Sequence, residues 1–341
     1  MIGDILLLFF GLFLILISAE SFTNGIETLG RKFSLSQAVV GSLLAAVGTA
    51  LPETILPVVA IFFYKGESAK DIGMGAILGA PFMLSTLAFF VVGLTVIISY
   101  LRKKRNFKFQ VEISSIKRDL LFFLPMYTMA ISLPFITGRS FTVLIAVTLI
   151  TGYILYAYKT LRCESADLEH SEGMYLCRLL GKAGLTESKN PHFFLIFLQI
   201  TGALAIMITG AHTFVKHLEH ISIRFGMSPM LFALILAPIA TELPEKFNSI
   251  TWTWKGRDTL AMGNITGAMV FQSTFPVSIG ILFTDWKLTG MALFSAIIAI
   301  LSSIIVLMEL TIRKRISPFT ILFGGALYFL YAIVLITGKI L

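Results

Sequence analysis

The sequence predicts an all-α polytopic membrane protein whose ten transmembrane helices form two inverted five-helix repeats. The first observation behind this is composition. The 341 residues are 56% hydrophobic and 13% charged, with a mean hydropathy of +0.88, whereas a soluble domain carries roughly 25% charged residues. The second is that apolar runs near the roughly 20 residues needed to cross a bilayer as a helix recur along the chain. The third is that "VGTALPETI" at 47–55 returns as "IATELPEKF" at 239–247, once in each half.

The spans fall at about 2–24, 36–63, 71–100, 119–136, 140–158, 192–215, 228–253, 259–283, 288–310 and 317–338. The opening "MIGDILLLFFGLF" has no basic segment before its apolar run, so the first span is expected to stay in the protein rather than be cleaved as a signal peptide. Lys and Arg concentrate in the loops that follow the odd-numbered spans, above all in "RKKRNFKF" at 102–109. Because basic residues collect on the cytoplasmic side, both termini are expected outside. The formal charge of +8 is mostly this bias. It points to anionic lipid headgroups beside the bilayer rather than to nucleic acid. Cys163 and Cys177 fall in the 159–191 connection on the expected inner side, where thiols stay reduced.

Aligned at a constant offset of 192, residues 19–53 match 211–245 without a gap. Ala19, Phe22, Glu27, Phe33 and Ser36 recur as Ala211, Phe214, Glu219, Phe225 and Ser228. Thr49, Leu51, Pro52 and Glu53 recur as Thr241, Leu243, Pro244 and Glu245. Further on, "GAILGA" at 75–80 corresponds to "GNITGA" at 263–268. The reading is therefore a first repeat at 1–160, a cytoplasmic linker at 161–191 and a second repeat at 192–341. Five spans per repeat force the second copy into the membrane upside down, the arrangement of secondary transporters whose sites lie near the midplane.

The repeated motif also carries chemistry. Proline inside a helix removes a backbone hydrogen bond and frees a carbonyl one turn earlier. A carboxylate in hydrocarbon normally faces the bundle interior and finds a cation or a proton. Glu53 and Glu245, with freed carbonyls and the hydroxyls of Thr49 and Thr241, would make a doubly negative, all-oxygen cage of the kind Ca²⁺ takes and Na⁺ can use in part. The small residues Gly75, Gly79 and Ala80, and Gly263, Gly267 and Ala268, are expected to press the third and eighth spans against the interrupted ones.

These stretches, together with "AESFTNGIETLGRKFSLSQAVVG" before the first motif, resemble the alpha-repeats of the sodium/calcium exchanger (cation/Ca²⁺ antiporter) family. The resemblance covers about 10–100 and 200–290. It implies that Glu53 and Glu245 are the central Ca²⁺ carboxylates, that Thr49 and Thr241 flank them, and that alternating access exchanges Ca²⁺ for Na⁺. The family's third and eighth spans usually supply further ligands. Here Ala80 and Leu84 take those places in the first copy, and Ala268 and Gln272 in the second, leaving Gln272 alone able to coordinate through its side chain. Where the family has Ser in the second motif, this chain has Glu242, which could replace negative charge missing at 272.

Three carboxylates keep Ca²⁺/H⁺ exchange open beside Na⁺/Ca²⁺ exchange, because neighbouring like charges raise one pKa. Mn²⁺ or Mg²⁺ also suits an oxygen-only site, and a transport-inactive cation-binding relative is a further alternative. No constellation for catalysis is visible, so an enzyme is not expected, and no cofactor is implied. Lys246 is expected to snorkel toward the surface. Glu27 and Glu219 are expected to be solvated or paired with Lys32 or Arg224. A zinc site on His212, His217 and His220 is expected to be absent. The short loops suggest a prokaryotic inner membrane.

Overall fold

The computed structural model describes residues 1–33, 50–107, 109–135, 139–163, 174–177, 192–288 and 290–337. Among these, every regular element is helical: α1 (Ile2–Lys32), α2 (Leu51–Val58, extended by a π-helical turn over Val59–Phe63), α3 (Ala69–Met83), α4 (Phe89–Leu101), α5 (Ile113–Ser132), α6 (Arg139–Cys163), α7 (Phe193–Arg224), α8 (Pro229–Thr241), α9 (Leu243–Trp254), α10 (Asp258–Gln272), α11 (Phe275–Phe283), α12 (Gly290–Arg313) and α13 (Pro318–Thr337). Backbone groups in lipid must be satisfied within their own segment, which explains the absence of strands among the described residues. Among the described residues, seven helical runs are long and apolar enough to cross a membrane, and Leu51–Phe63 and Pro229–Thr241 are shorter apolar helices. Large side chains left exposed, such as Leu6, Phe9, Phe13, Val147, Phe194 and Phe197, suit a lipid-facing surface.

Helices separate into two compact units that cut across the sequence repeats. One unit is Met1–Gly66 with Ile154–Ile221, and the other is Glu67–Tyr153 with Ser222–Leu341. The first is organised by α1 and α7, the opening helix of each repeat. They cross at glycines: a Cβ on Gly11 would lie 2.8 Å from the Gly210 carbonyl, and a Cβ on Gly210 would lie 2.8 Å from the Gly11 carbonyl. A polar seam continues the contact. Buried Gln199 donates to Asn24 Oδ1 at 3.0 Å and to the Ser21 carbonyl at 2.9 Å. The turn at 174–177 docks on the same seam, because Tyr175 N–H donates to Asn24 and Leu176 N–H to Gln199. Cys177 in this turn is a free thiol.

In the second unit the tightest pairing is α3 with α8. Gly75 lies against the Met230 carbonyl and Ala233, and Gly79 against the Leu234 carbonyl and Pro238. The expected role of these two glycines is thus observed, since no side chain fits between the helices. Pro81 follows, and α3 passes through a π-helical turn at Leu84–Ala88 before α4. The turn is supported from outside by Ser302, whose hydroxyl donates to the Ser85 carbonyl at 2.5 Å.

The loop before α5 corrects an expectation. Arg105, read from the sequence as part of a basic surface facing headgroups, has only 9% of its side chain exposed and grips Asp258 through two nitrogens, at 2.7 and 2.6 Å. The Gln110 N–H completes the contact by donating to the same carboxylate. Asp258 sits in the first turn of α10, where the helix dipole also favours negative charge.

Valine at Gly79 is expected to lower stability by about 3 kcal/mol or more, because the added methyls meet backbone that cannot rotate away. Alanine at Gly202, where a Cβ meets nothing within 4 Å, should be neutral or stabilising. Thermal midpoints of the two purified variants in detergent would check this contrast.

Candidate functional site

Both Leu-Pro-Glu motifs start a helix. The sequence reading places each proline inside a helix that it breaks. In the structure Pro52 and Pro244 instead occupy the first turn of α2 and α9, where the missing N–H costs nothing because first-turn donors have no intrahelical partner. In the second repeat the interruption lies two residues before the proline, at Glu242, between the end of α8 and the start of α9. Glu53 and Glu245 are consequently both the third residue of a new helix, an end whose dipole favours a carboxylate. Glu53 is 7% exposed and lies in the first unit. Thr49 lies outside the described residues, as does the side chain of Glu245.

The second unit holds the remaining predicted residues. Thr241 is buried and its hydroxyl donates to the Ala237 carbonyl at 3.1 Å. With its proton used there, the oxygen's lone pairs are left as cation ligands. Glu242 is 1% exposed. Lys246, expected to snorkel, is instead buried and turned back along its own helix. Its Nζ lies 3.3 Å from Glu242 Oε2 and 3.3 Å from the Pro238 carbonyl. The i, i+4 spacing places both side chains on one face, and two charges this deep are tolerated only as a pair. The carboxylate that the sequence offers in place of charge missing at 272 thus faces an ammonium within the same helical turn.

Gln272 is the last residue of α10 and is 2% exposed. The chain leaves the helix at Ser273 and Thr274, whose hydroxyls fold back on the Val270 carbonyl at 3.0 and 2.7 Å. In the matching place of the first repeat, Ala80 and Leu84 are 3% and 1% exposed and belong to the apolar core. Asn264 reaches Ser249 at 3.4 Å, which ties α10 to α9.

Among the described residues, the buried carboxylates outside the predicted set are Asp119, Glu219, Asp258 and Glu309. Asp119 of α5, 2% exposed, accepts from Thr266 of α10 at 2.6 Å and lies 3.4 Å from Arg118. Its signal was an acid at the very edge of an apolar run, "KRDLLFFL". Glu219, expected to be solvated or paired with Lys32 or Arg224, is buried in the first unit and accepts from the hydroxyl of Tyr64. Burial, and then the adjacent carboxylate, raises the Tyr64 pKa, which keeps the phenol a donor. Glu20 accepts from Tyr175 at 2.9 Å, and His212 lies edge-on to Tyr64.

Known proteins resemble this chain in both sequence and fold. A family model described as sodium/calcium exchanger protein matches residues 4–161 and 195–337. The chain belongs to the sodium/calcium exchanger protein family. Among its relatives, "Putative antiporter CaxA" of Alkalimonas amylolytica is 26% identical over 285 residues, covering 79% of this chain and 77% of the relative. Inner membrane protein YrbG of Escherichia coli is 24% identical over 291 residues, covering 84% and 82%. The fold is that of the crystallised H⁺/Ca²⁺ exchanger CAX, with a TM-score of 0.72 at 18% identity over 98% of this chain and 82% of that one. The sodium-calcium exchanger NCX_Mj gives a TM-score of 0.55 at 20% identity over 98% and 96%. This exchanger is thus an inverted-repeat, multi-pass membrane protein.

Removing one member of the Glu242–Lys246 pair should expose the cost of the other. Lys246→Met is expected to destabilise by about 3–5 kcal/mol, and Glu242→Gln with Lys246→Met to recover most of the loss. A double-mutant cycle on thermal unfolding in detergent measures both effects.

Proposed function

We propose that this exchanger is a secondary-active antiporter that exports Ca²⁺ by alternating access, with Na⁺ as counter-ion. Its two repeats, 1–160 and 192–341, would be joined by the linker 161–191 on the cytoplasmic side, with both termini outside a prokaryotic inner membrane. The observation that carries the reading is the twofold placement of a glutamate as third residue of a helix that begins inside an apolar segment. Glu53 and Glu245 would hold the Ca²⁺, and Thr49, Thr241 and Gln272 would complete an oxygen shell, since Ca²⁺ takes six to eight oxygens and tolerates irregular geometry. The protein binds and releases ions and makes or breaks no covalent bond.

A second reading, with protons as counter-ion, is favoured by the Glu242–Lys246 pair. Because Lys246 neutralises Glu242, the exchangeable negative charge reduces to Glu53 and Glu245. One Ca²⁺ or two protons neutralise two carboxylates equally well. Na⁺ would need neutral oxygen ligands of its own, and Ala80 and Leu84 withdraw them from the first repeat.

The test is ⁴⁵Ca²⁺ uptake into proteoliposomes under an outward Na⁺ gradient and, separately, an outward H⁺ gradient. Uptake driven by Na⁺, and reduced at least about 100-fold by Glu53→Gln, is the expected result, since that change removes a buried charged ligand worth several kcal/mol. Uptake driven by protons alone would establish the second reading. No uptake under either gradient overturns both.

A further inference from the structure

The zinc site that the sequence argued against on three histidines takes shape on two of them and an acid from the other end of the chain. His217 and His220 stand on one face of α7, three residues apart. Asp4 of α1 places Oδ1 3.2 Å from His217 Nδ1 and 3.3 Å from His220 Nδ1. One ligand atom from each residue lies within 4.8 Å of the other two. His212 is not part of the group and packs on Tyr64 instead.

The helix crossing explains the convergence. Asp4 and His217 are each seven residues from the Gly11–Gly210 contact, on opposite sides of it in sequence. Antiparallel helices rise equally, about 1.5 Å per residue, so both residues arrive about 10 Å from the crossing. Gly11 and Gly210 bring the backbones close enough for a short aspartate to reach across. The three groups are thus set by a rigid contact between two long helices rather than by a loop.

We propose that Asp4, His217 and His220 form a binding site for a transition-metal dication, with Zn²⁺ as its natural occupant, distinct from the transported hard cation. Imidazole nitrogen with a single carboxylate suits Zn²⁺, Cu²⁺ or Ni²⁺, whereas Ca²⁺ and Na⁺ seek oxygen alone. The distances fit. Zinc bonds of about 2.0–2.1 Å in a tetrahedron separate neighbouring ligand atoms by roughly 3.3 Å, which is the spacing Asp4 already keeps from both histidines. Asp4 and His217 have 13% and 11% of their side chains exposed, and His220 44%. The cluster is therefore sheltered on one side and open to a water as fourth ligand on the other. The second oxygen of Asp4 lies 3.0 Å from the Met1 amino group, which holds the carboxylate in place. A bound metal would tie the first turn of α1 to α7 and stiffen their crossing.

Zn²⁺ binding to the detergent-purified full chain, stripped with chelator, tests the proposal by titration calorimetry and by the visible spectrum of Co²⁺ as a substitute. One equivalent at micromolar affinity, a tetrahedral Co²⁺ spectrum and a raised thermal midpoint are expected. His217→Gln should abolish binding, Asp4→Asn should weaken it at least tenfold, and His212→Gln should leave it intact. Circular dichroism and melting without metal establish that each variant is folded. No binding by the wild type, or equal loss with His212→Gln, overturns the site. The readout involves no transport, so failure of the antiport assignment and failure of this site are separate outcomes.

Discussion

A carboxylate removed from water must be matched, and most of what organises this protein follows from how each buried acid is matched. The effective penalty for taking an unpaired ion out of water is several kcal/mol even after relaxation. Asp258 is met by the planar fork of Arg105 and the Gln110 N–H, which pins both residues to the start of α10. Asp119 is met by Thr266 and Arg118, which joins α5 to α10. Glu219 is met by Tyr64, which fastens the end of the α2 segment to α7. Glu309 accepts from the Ser317 N–H at 3.0 Å and lies 3.6 Å from Arg313, which shapes the turn between α12 and α13. Each match is also a tertiary contact, so charge neutralisation and assembly are one problem here.

Small residues set the second constraint. Between helices in lipid there is little hydrophobic drive, and association rests on close van der Waals approach and hydrogen bonds. Gly11 with Gly210 does this in the first unit, and Gly75 and Gly79 against α8 do it in the second. The contact at α8 matters most for the site. It fixes the helix that ends at Thr241 and so fixes where Glu242 and the start of α9 fall. An interruption at that depth is tolerated only where protein or water covers the freed backbone. The Pro238 carbonyl, taken by Lys246, shows one way of covering it.

Helical class and the recurrence of the Leu-Pro-Glu motif were legible because they rest on periodic signals: apolar run length and the proline-glutamate spacing. What was not legible depends on side-chain direction. Lys246 could have reached outward as easily as back, and only the packing of α9 decides between them. Arg105 lay in a run of like charges that reads as solvated, and its partner Asp258 is more than a hundred residues away. The glycine pair at 11 and 210 does not obey the repeat offset, since Ser18 is the residue that matches Gly210, so the duplication concealed it. The unit boundaries were hidden for a related reason: α1 and α7 open different repeats yet pack on each other.

The Glu242–Lys246 pair bears on why this chain departs from the usual ligand pattern of its family. An ammonium held by a carboxylate and a carbonyl has the surroundings of a bound monovalent cation, except that it is covalently attached and cannot leave. A third acid at position 242 alone would add a charge that some transported ion had to neutralise in every cycle. With Lys246 beside it, that charge is countered from within the chain. On the proposed reading, the exchangeable charge then returns to two glutamates, one from each motif. The substitutions at 80, 84 and 268 are then consistent with the same change, because a seat already filled by the protein needs no further ligands for an ion.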